Sequence, residues 1–396
     1  MALKQGIFIV AAKRTAFGTY GGMLKNTTPT QMGAAVAQAA LQQSGISPND
    51  VGTVIFGNAI HSNYDTPYLT RHLLLGIGIP NTVPGLIVNR LCGSGFQSVI
   101  NVAQELINGD CDIGIAGGAE NMTQAPYAVR NVRFGTKLGK TYEFEDTLWQ
   151  TLTDFYIKTP MGITAETLGA KYNITREKCD EIALRSQTRW ALANRAGYFK
   201  NEITPIKVAG KKGEVVFDTD EHPRETTAEM LAKLKPVFKK DGIVTAGNAS
   251  GVNDGAAAVV LATEEAVNKH RLTPMARLLG WKVVGCDPNI MGIGPVGAIR
   301  GLLSRVNMKL SDINLVEVNE AFASQYAAVE KELQLDPAIT NVNGGAIAIG
   351  HPLGASGSRI TTHLVYEMKR RQVKYGIGSA CIGGGQGVAI LLENVS

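Results

Sequence analysis

A cysteine between an apolar segment and a helix is the first residue whose setting indicates chemistry. Cys92 lies in the run Asn89-Arg90-Leu91-Cys92-Gly93-Ser94-Gly95. This pattern predicts a buried strand, a tight glycine turn and then a helix, with the thiol near the helix N-terminus. Aligned backbone N–H groups at such a position favour the thiolate, so we expect a lowered pKa and a nucleophile. The alternative is a buried, inert cysteine, the role we expect for Cys111, Cys179 and Cys286.

Two further turn motifs carry a histidine and a second cysteine. His351 is followed by Pro352 within a glycine-rich run, and the proline fixes the direction of the imidazole. Cys381 precedes glycines 383, 384, 385 and 387, whose exposed N–H groups are suited to an oxyanion hole. Phosphate binding is the rival interpretation, but the loop lacks the lysine of a P-loop and the spacing of a dinucleotide motif. A structural role for His351 is the alternative to a catalytic one.

Polar residues also follow the apolar segment 315–318. Asn319 and Glu320 come directly after it, where α/β sheets place their binding crevice. A helix N-cap formed by Asn319 is a compatible alternative.

An internal repeat predicts the elements that position these residues. An Asp followed by an apolar segment occurs at Asp50 and again at Asp312, and a Ser-Gly pair opening a helix occurs at Ser94 and again at Ser356. Both pairs are separated by the same offset, 262 residues. Each predicted helix leads to an apolar strand and a glycine cluster. The repeat indicates two similar βαβ-rich halves, with chance similarity of α/β segments as the alternative.

A basic segment of different character separates the two halves. It is too long for a loop and indicates an inserted cap domain. Thr175 is expected to cap a helix that runs to Arg195 within it. The predicted division is an N-terminal half formed by residues 1–119 and 246–270, a cap domain of residues 120–245, and a C-terminal half of residues 271–396.

Composition excludes several classes of protein. Of 396 residues, 44% are hydrophobic and 18% charged, which predicts a large packed core rather than disorder. The five scattered cysteines argue against a disulfide framework and a metal site. No apolar run is long enough for a membrane span. The net charge of +5, without a Lys/Arg block, suits an anionic small molecule better than nucleic acid.

The N-terminal segment is basic and free of acidic residues before Asp50. Such leaders resemble mitochondrial targeting segments, although residues 6–12 also predict a buried strand. We therefore expect a retained targeting segment and a mitochondrial matrix location. An ordinary basic first strand is the alternative.

Taken together and in this order, the four motifs resemble the thiolase family over essentially the whole chain. Further matches are residues 247–251 and 14–18, where the family usually has proline at the position of Ala16. Residues 124–127 and 133–137 are most similar to the mitochondrial branch that acts in fatty-acid oxidation. The resemblance implies an α/β thiolase fold, with two similar halves packed as a five-layered α/β/α/β/α sandwich and an inserted loop domain.

The resemblance also implies the activity and the roles of the residues. Cys92 would attack the 3-keto carbon of a 3-ketoacyl-CoA, and Cys381 would exchange a proton with the acetyl-CoA α-carbon. His351 would activate Cys92 and form one oxyanion hole with a water held by Asn319. The backbone N–H groups of Cys92 and Gly383 would form the other.

Coenzyme A is implied as a co-substrate, with no permanently bound cofactor. The resemblance points to Arg224, Thr226 and Ser250 as its contacts. The family commonly has Arg-x-x-Thr-Thr, whereas this chain has one residue fewer before its threonines, so Thr227 could replace Thr226. The family also implies a homo-oligomer, either a dimer or a tetramer.

Three other functions are considered. A decarboxylating condensing enzyme of the same fold uses one cysteine, and the second cysteine argues against it. An acetoacetyl-CoA thiolase that works in the condensing direction has the same catalytic set. A non-catalytic acyl-CoA carrier would be expected to lack one of the four motifs, and none is missing.

Overall fold

The computed structural model describes residues 5–210 and 213–396. Residues 1–4, the start of the expected targeting segment, lie outside the described residues. The first strand, which the sequence predicts at residues 6–12, is present as β1. The strands are β1 (Ile7–Arg14), β2 (Gly18–Thr19), β3 (Thr53–Gly57), β4 (Gly85–Val88), β5 (Ile113–Asn121), β6 (Tyr127–Ala128), β7 (Glu145–Asp146), β8 (Thr153–Asp154), β9 (Thr159–Pro160), β10 (Ile206–Gly210), β11 (Gly213–Phe217), β12 (Asn253–Thr263), β13 (Ala276–Gly285), β14 (Leu315–Val318), β15 (Tyr375–Ile382) and β16 (Gln386–Asn394).

All the α-helices of the described residues lie between β1 and β16 along the chain. They are α1 (Pro29–Ser44), α2 (Leu69–Gly76), α3 (Ser94–Asn108), α4 (Thr147–Thr151), α5 (Met161–Lys171), α6 (Arg176–Arg195), α7 (Ala228–Ala232), α8 (Glu264–His270), α9 (Gly294–Val306), α10 (Ala323–Leu333), α11 (Ala346–Ile349) and α12 (Ser356–Arg371). Within the described ranges, no helix combines the length and the apolar composition that crossing a bilayer requires.

The main sheet has the strand order β14-β15-β16-β13-β1-β12-β5-β3-β4. It has two similar halves, which meet where β1 pairs briefly with β13. In the first half β3 pairs parallel with β5, and in the second half β14 pairs parallel with β15. The strands nearer the centre of the sheet pair antiparallel in both halves. The offset of 262 residues relates the first residues of β3 and β14, of α3 and α12, and of β5 and β15. The predicted repeat is therefore confirmed.

Three apolar clusters divide the molecule into five layers. Helix α1 covers the outer face of the first half-sheet through Met32 and Val36. Helices α3 and α12 lie between the half-sheets and bury Phe96 and Ile360, among others, against both. Helices α9 and α10 cover the outer face of the second half-sheet. Apolar side chains spaced three and four residues apart give these helices the faces that such packing requires.

Glycines allow the two central helices to meet closely. A Cβ on Gly95 would lie 2.5 Å from the backbone N of Ser358, and a Cβ on Gly357 would lie 2.2 Å from the backbone N of Phe96. Both distances are shorter than any real Cβ contact, so a side chain at either position would force the helices apart. Because Cys92 precedes α3 and His351 precedes α12, this crossing sets the distance between the two motifs.

The inserted segment contains the elements from β6 to α7. Its longest helix, α6, begins after Thr175, whose hydroxyl accepts a hydrogen bond from the backbone N of Lys178, and ends at Arg195. The helix predicted from the sequence is therefore confirmed with its cap. The division into residues 1–119 with 246–270, residues 120–245 and residues 271–396 stays a prediction.

A buried ionic network anchors the inserted segment to both halves. Arg14 of β1 donates to Glu202 at 2.7 Å and to Asp220 at 2.7 and 3.0 Å. The other carboxylate oxygen of Glu202 lies 2.8 Å from Nδ1 of His363 in α12. His363 and Arg14 hold the pKa of Glu202 at about 2 despite its burial. The pKa of His363 is raised, because the carboxylate favours its charged form over the cost of desolvation.

Substituting Glu202→Gln should strongly lower the stability of the fold. The change removes the negative carboxylate that Arg14 and His363 both contact. Breaking a buried ion pair in this way lowers the free energy of unfolding by about 3–5 kcal/mol. The matched control is Glu214→Gln, which removes an exposed partner of Lys207 and should change stability little. Because the folded pKa of Glu202 lies below its ordinary value of 4.5, its contribution is present at neutral pH and is lost as the pH falls toward 2. The urea midpoint of each variant measures the effect, and equal midpoints would contradict it.

Candidate active site

Cys92 lies in a single 3₁₀ turn, Leu91–Gly93, between β4 and α3. Leu91, directly before it, has a φ of +46°, a left-handed conformation that is uncommon for leucine. Asn89 Oδ1 accepts from the Leu91 backbone N at 2.9 Å, and Ser94 Oγ donates to the Leu91 carbonyl at 2.7 Å. The strained turn is thus held from both sides, and it fixes the position of the half-buried thiol.

The backbone N–H groups of Cys92 and Gly383 lie close enough to the thiol of Cys92 to lower its pKa. Both favour the thiolate, yet burial dominates and raises the pKa of Cys92 to about 11, with a small further contribution from Glu120. The lowered pKa expected from the helix N-terminus is therefore wrong, because loss of solvation outweighs the N–H groups. Near neutral pH the resting group is a thiol, so its proton must leave as it attacks.

His351 is the group of the site best suited to accept this proton. Its Nδ1 lies 2.6 Å from Oγ of Ser356, and that hydroxyl donates to the Pro352 carbonyl at 2.9 Å. Because the hydroxyl proton is used on Pro352, Nδ1 must carry the hydrogen and Nε2 keeps its lone pair. Burial, with the positive charge of Arg359, lowers the pKa of His351 to about 3. The imidazole is therefore neutral and able to accept a proton.

Asn319 lies fully buried beside this imidazole. Its Nδ2 is 3.3 Å from Nε2 of His351, and its Oδ1 has no partner among the described residues. Helix α10 begins later, at Ala323, with Phe322 at the cap position, so the N-cap role considered for Asn319 is wrong. The neighbouring Glu320 instead joins α6 to the C-terminal half, since its carboxylate accepts from Ser186 Oγ at 2.7 Å and from other groups beyond β14.

Cys381 is fully buried near the end of β15, where it packs against Met291 and Ala321. Burial raises its pKa, and the nearby Cys92 and Cys286 add to the effect. The loop after it turns through Gly384 and Gly385, both with a φ of +80°, which favours glycine at these positions. This turn directs the Gly383 N–H back toward Cys92.

Cys92 and His351 open onto a pocket of about 280 Å³, whose lining does not include Asn319, Cys381 or Gly383. Cys92, His351 and Ser250 line it together, and the hydroxyl of Ser250 donates to the Ala321 carbonyl at 2.9 Å. The inserted segment supplies much of the remaining wall through Leu148, Trp149, Leu152, Met161 and Phe238. A mostly apolar wall with a few convergent polar groups is typical of a small-molecule site.

The other residues expected to contact coenzyme A lie outside this lining. Arg224 is exposed, and the Thr226 hydroxyl donates to the Arg224 carbonyl at 3.0 Å. Thr227 caps α7, with its hydroxyl accepting from the Met230 backbone N at 3.2 Å. Thr227 therefore caps a helix, which Thr226 does not.

Glu120 was not identified from the sequence. Its fully buried carboxylate accepts from the backbone N of Ala59, Ile60 and Gly354 at 2.8–3.0 Å and from Asn58 Nδ2 at 3.0 Å. Burial raises its pKa to about 7. The available signal was a single acidic residue near the end of the otherwise uncharged segment 113–121.

The three cysteines expected to be inert lie outside the lining of this pocket, although Cys286 is near Cys381. Burial raises the pKa of Cys111 and of Cys179 to about 12 and also raises that of Cys286. No group of three or more His, Cys, Asp or Glu side chains in residues 5–210 and 213–396 is arranged to hold a metal ion.

Comparison with known proteins identifies the fold and the motifs together. Residues 7–265 match the family model of the thiolase N-terminal domain, and residues 272–394 match that of the C-terminal domain. The chain is 59% identical to mitochondrial 3-ketoacyl-CoA thiolase of Bos taurus, over 100% of both chains. The crystal structure of human mitochondrial 3-ketoacyl-CoA thiolase superposes with a TM-score of 0.98, at 58% identity and 99% coverage of both chains. The human enzyme in complex with CoA gives 0.97, at 57% identity and 100% coverage of both. The chain belongs to the thiolase family.

Proposed function

We propose that this protein is a 3-ketoacyl-CoA thiolase of fatty-acid β-oxidation. Such an enzyme is an acyltransferase that uses CoA to cleave a 3-ketoacyl-CoA into acetyl-CoA and an acyl-CoA shorter by two carbons. The observation that carries the proposal is that Cys92 and the neutral imidazole of His351 line one pocket, while the second thiol, Cys381, lies buried near Cys92 behind the pocket residues Met291 and Ala321. The names of the full-length relatives support the same activity and a mitochondrial location, which we propose is the matrix.

In the first step, Cys92 forms a bond to the 3-keto carbon as its proton passes to Nε2 of His351. Both groups are neutral at rest, since the pKa of Cys92 is raised to about 11 and that of His351 lowered to about 3. Proton transfer coupled to attack avoids a buried ion pair before substrate arrives. Negative charge then develops on the former keto oxygen. The imidazolium N–H, with a water held by Asn319, is the proposed donor to this oxygen.

In the second step, the bond between C2 and C3 breaks. The electron pair moves toward C2 and gives the enolate of acetyl-CoA, leaving the acyl group on Cys92. The N–H groups of Cys92 and Gly383, which meet at the resting thiol, are the proposed donors to the thioester oxygen. Cys381 gives its proton to C2, so acetyl-CoA leaves and Cys381 is briefly a thiolate.

In the last step, free CoA resolves the acyl-enzyme. Its thiol loses a proton to the Cys381 thiolate and attacks the thioester carbonyl, and the Cys92 thiolate leaves and recovers its proton. Both thiols then return to their resting state. The test is product analysis by mass spectrometry after adding 3-ketodecanoyl-CoA and CoA, which should yield acetyl-CoA and octanoyl-CoA. A protein that binds the substrate without turnover would instead be the acyl-CoA carrier considered from the sequence.

The nucleotide end of CoA is proposed to bind at Arg224, Thr226 and the inserted segment, with the pantetheine arm passing Ser250. Ser250 lines the pocket with Cys92, and Arg224 is exposed outside it, as a surface contact for the nucleotide requires. A planar guanidinium can stack on adenine and also attract phosphate. Thr226 is favoured over Thr227, because Thr227 already caps α7.

Substituting Arg224→Ala should raise the KM for CoA substrates about fivefold and change kcat little, because the contact is distant from the reacting atoms. Steady-state kinetics with acetoacetyl-CoA measure this effect. The control substrate is the N-acetylcysteamine thioester, which lacks the nucleotide and should be affected little. Equal losses with both substrates would show that Arg224 supports the fold instead.

The protein is proposed to form homo-oligomers, with residues 124–139 as a tetramer contact. This segment exposes Tyr127, Phe134 and Leu138, and Phe134 is 98% exposed. Exposed aromatic and arginine side chains are typical interface anchors. Light scattering at micromolar concentration should give the mass of a dimer or a tetramer, and Phe134→Asp should shift a tetramer toward dimers. A stable monomer would contradict the proposal.

A further inference from the structure

The nucleophilic thiol and the imidazole that accepts its proton come from different halves of the chain. Cys92 lies in the turn between β4 and α3 of the first half, and His351 lies in the segment 350–355 between α11 and α12 of the second half. We call residues 350–355 the histidine loop. Because misplacing a catalytic group by about 1 Å can slow a reaction about 100-fold, this loop must be held firmly beside the first half.

Glu120 of β5 holds the far end of the histidine loop. Its fully buried carboxylate accepts from the backbone N of Gly354 at 2.8 Å. The same carboxylate accepts from the backbone N of residues 59 and 60, in the loop after β3, at 2.9 and 3.0 Å. Leu353, the neighbour of Gly354, packs with Cys92 in one small apolar cluster. One carboxylate therefore joins the histidine loop to a loop of the first half beside the nucleophile.

Asn253 of β12 holds the near end of the loop, at His351 itself. Its Oδ1 accepts from the backbone N of His351 at 3.1 Å, and its Nδ2 donates to the carbonyl of Gly18 at 2.9 Å. The side chain of Asn253 is fully buried. Gly350 has a φ of +100°, and a Cβ at this position would lie 2.2 Å from Cγ of Asn253. The histidine loop therefore begins in direct contact with this amide.

The two anchoring side chains lie on neighbouring strands of the first half. β5 and β12 pair antiparallel, and Glu120 lies opposite Gly255, two residues along β12 from Asn253. The histidine loop also has little room to move, because a Cβ at Gly354 would lie 2.7 Å from the carbonyl oxygen of Gly57 in β3. A loop of the second half is thus held near both of its ends by buried polar side chains of the first half.

We propose that Glu120 and Asn253 are positioning residues that clamp the histidine loop onto the first half and so set the place of the His351 imidazole relative to the Cys92 thiol. The clamp rests on the proposed thiolase function, in which His351 takes the proton of Cys92. Glu120 and Asn253 act through the loop, since the lining of the pocket that Cys92 and His351 share includes neither side chain.

Glu120→Gln tests the far end of the clamp. Its amide nitrogen would face backbone N–H groups that need an acceptor, so the histidine loop and the loop after β3 should move apart. We expect kcat to fall about 10- to 100-fold with little change in KM, because the proposed CoA contacts are untouched. Glu120→Asp, which keeps two acceptor oxygens on a shorter side chain, should recover part of the loss.

Asn253→Ala tests the near end of the clamp. It removes the acceptor for the backbone N–H of His351, so kcat should again fall about 10- to 100-fold with little change in KM. The matched control is Asp254→Asn at the next position of β12. The carboxylate of Asp254 accepts from the backbone N and Oγ1 of Thr123 rather than from the histidine loop, so this change should leave kcat nearly unchanged.

Alkylation of Cys92 by iodoacetamide separates a displaced imidazole from a damaged nucleophile. The reagent reacts with the thiolate and needs no proton transfer to His351. At alkaline pH both clamp variants should therefore be alkylated at least as fast as the wild type, although their kcat values fall. In Glu120→Gln the rate should rise, because the carboxylate contributes to the raised pKa of Cys92. Labelling of the fully buried Cys179, measured on its own peptide, reports unfolding.

Two results would overturn the clamp. One is an unchanged kcat in either Glu120→Gln or Asn253→Ala. The other is a fall in kcat accompanied by slower alkylation of Cys92 or by labelling of Cys179, since the change would then damage the nucleophile or the fold. In both cases a wild-type protein that cleaves 3-ketoacyl-CoA leaves the thiolase function standing. A wild-type protein without this activity would overturn the function and the clamp together.

Discussion

Incubation with a 3-ketoacyl-CoA in the absence of free CoA is expected to leave an acyl mass on the peptide that contains Cys92. The proposed mechanism stops at this stage, because no second thiol is present to resolve the thioester. With 3-ketodecanoyl-CoA the added group is octanoyl, and an equal amount of acetyl-CoA should be released. Peptide mass spectrometry after acid quenching measures both the site and the amount.

Substitution identifies which thiol carries the acyl group. Cys92→Ala should lose the adduct and lower kcat/KM at least about 10³-fold, since the nucleophile is removed. Cys286→Ser, which changes a third thiol near Cys381, should retain the adduct and is the matched control. An adduct found only on the peptide with Cys381 would reverse the assigned roles.

Cys381→Ser is expected to separate the two halves of the reaction. A serine hydroxyl is a far weaker acid than a thiol, so proton transfer to and from carbon should fall about 10²- to 10⁴-fold. Exchange of the acetyl-CoA α-protons with deuterium from the solvent measures this step directly. Acyl transfer from a preformed acyl-Cys92 to CoA should survive in part.

Exchange of the α-protons and acyl transfer should be measured in the same enzyme preparation, so that the two rates can be compared. Ser356→Ala provides the contrasting variant, because it removes the hydroxyl that holds His351 in its tautomer and should lower acylation of Cys92 more than exchange at carbon. Undiminished deuterium exchange in Cys381→Ser would exclude Cys381 as the acid and base at carbon.

Much of the fold could be predicted because local pattern and tertiary packing agree. The repeat at 262 residues predicted β3, α3 and β5 and their counterparts, since each half buries the same apolar faces. The helix after Thr175 was predictable from its cap alone. The motifs at Cys92, His351 and Cys381 marked the site, because glycine turns that follow apolar strands place side chains at the same edge of a sheet.

The electrostatics of the site could not be predicted in the same way. The pKa of Cys92 depends on how completely the folded chain removes the thiol from water, and burial reverses the sign expected from the neighbouring helix. The role of Glu120 could not be predicted, because its partners are backbone N–H groups of residues 59, 60 and 354, which no side-chain pattern reveals. Similarly, the N-cap interpretation of Asn319 was wrong because α10 begins three residues later than that interpretation required.

The position of β12 in the sheet has a consequence for how the chain folds. β12 lies between β1 and β5, and it pairs with β1 from Ile7↔Thr263 to Arg14↔Ala257. The first half-sheet is therefore incomplete until residue 263 has been synthesised, long after β1, β3 and β5 have emerged from the ribosome. Pairings of such large sequence separation form slowly, and the apolar edges of β1 and β5 stay unpaired in the meantime. A nascent chain of this length needs protection from aggregation until the strand that follows the insertion arrives.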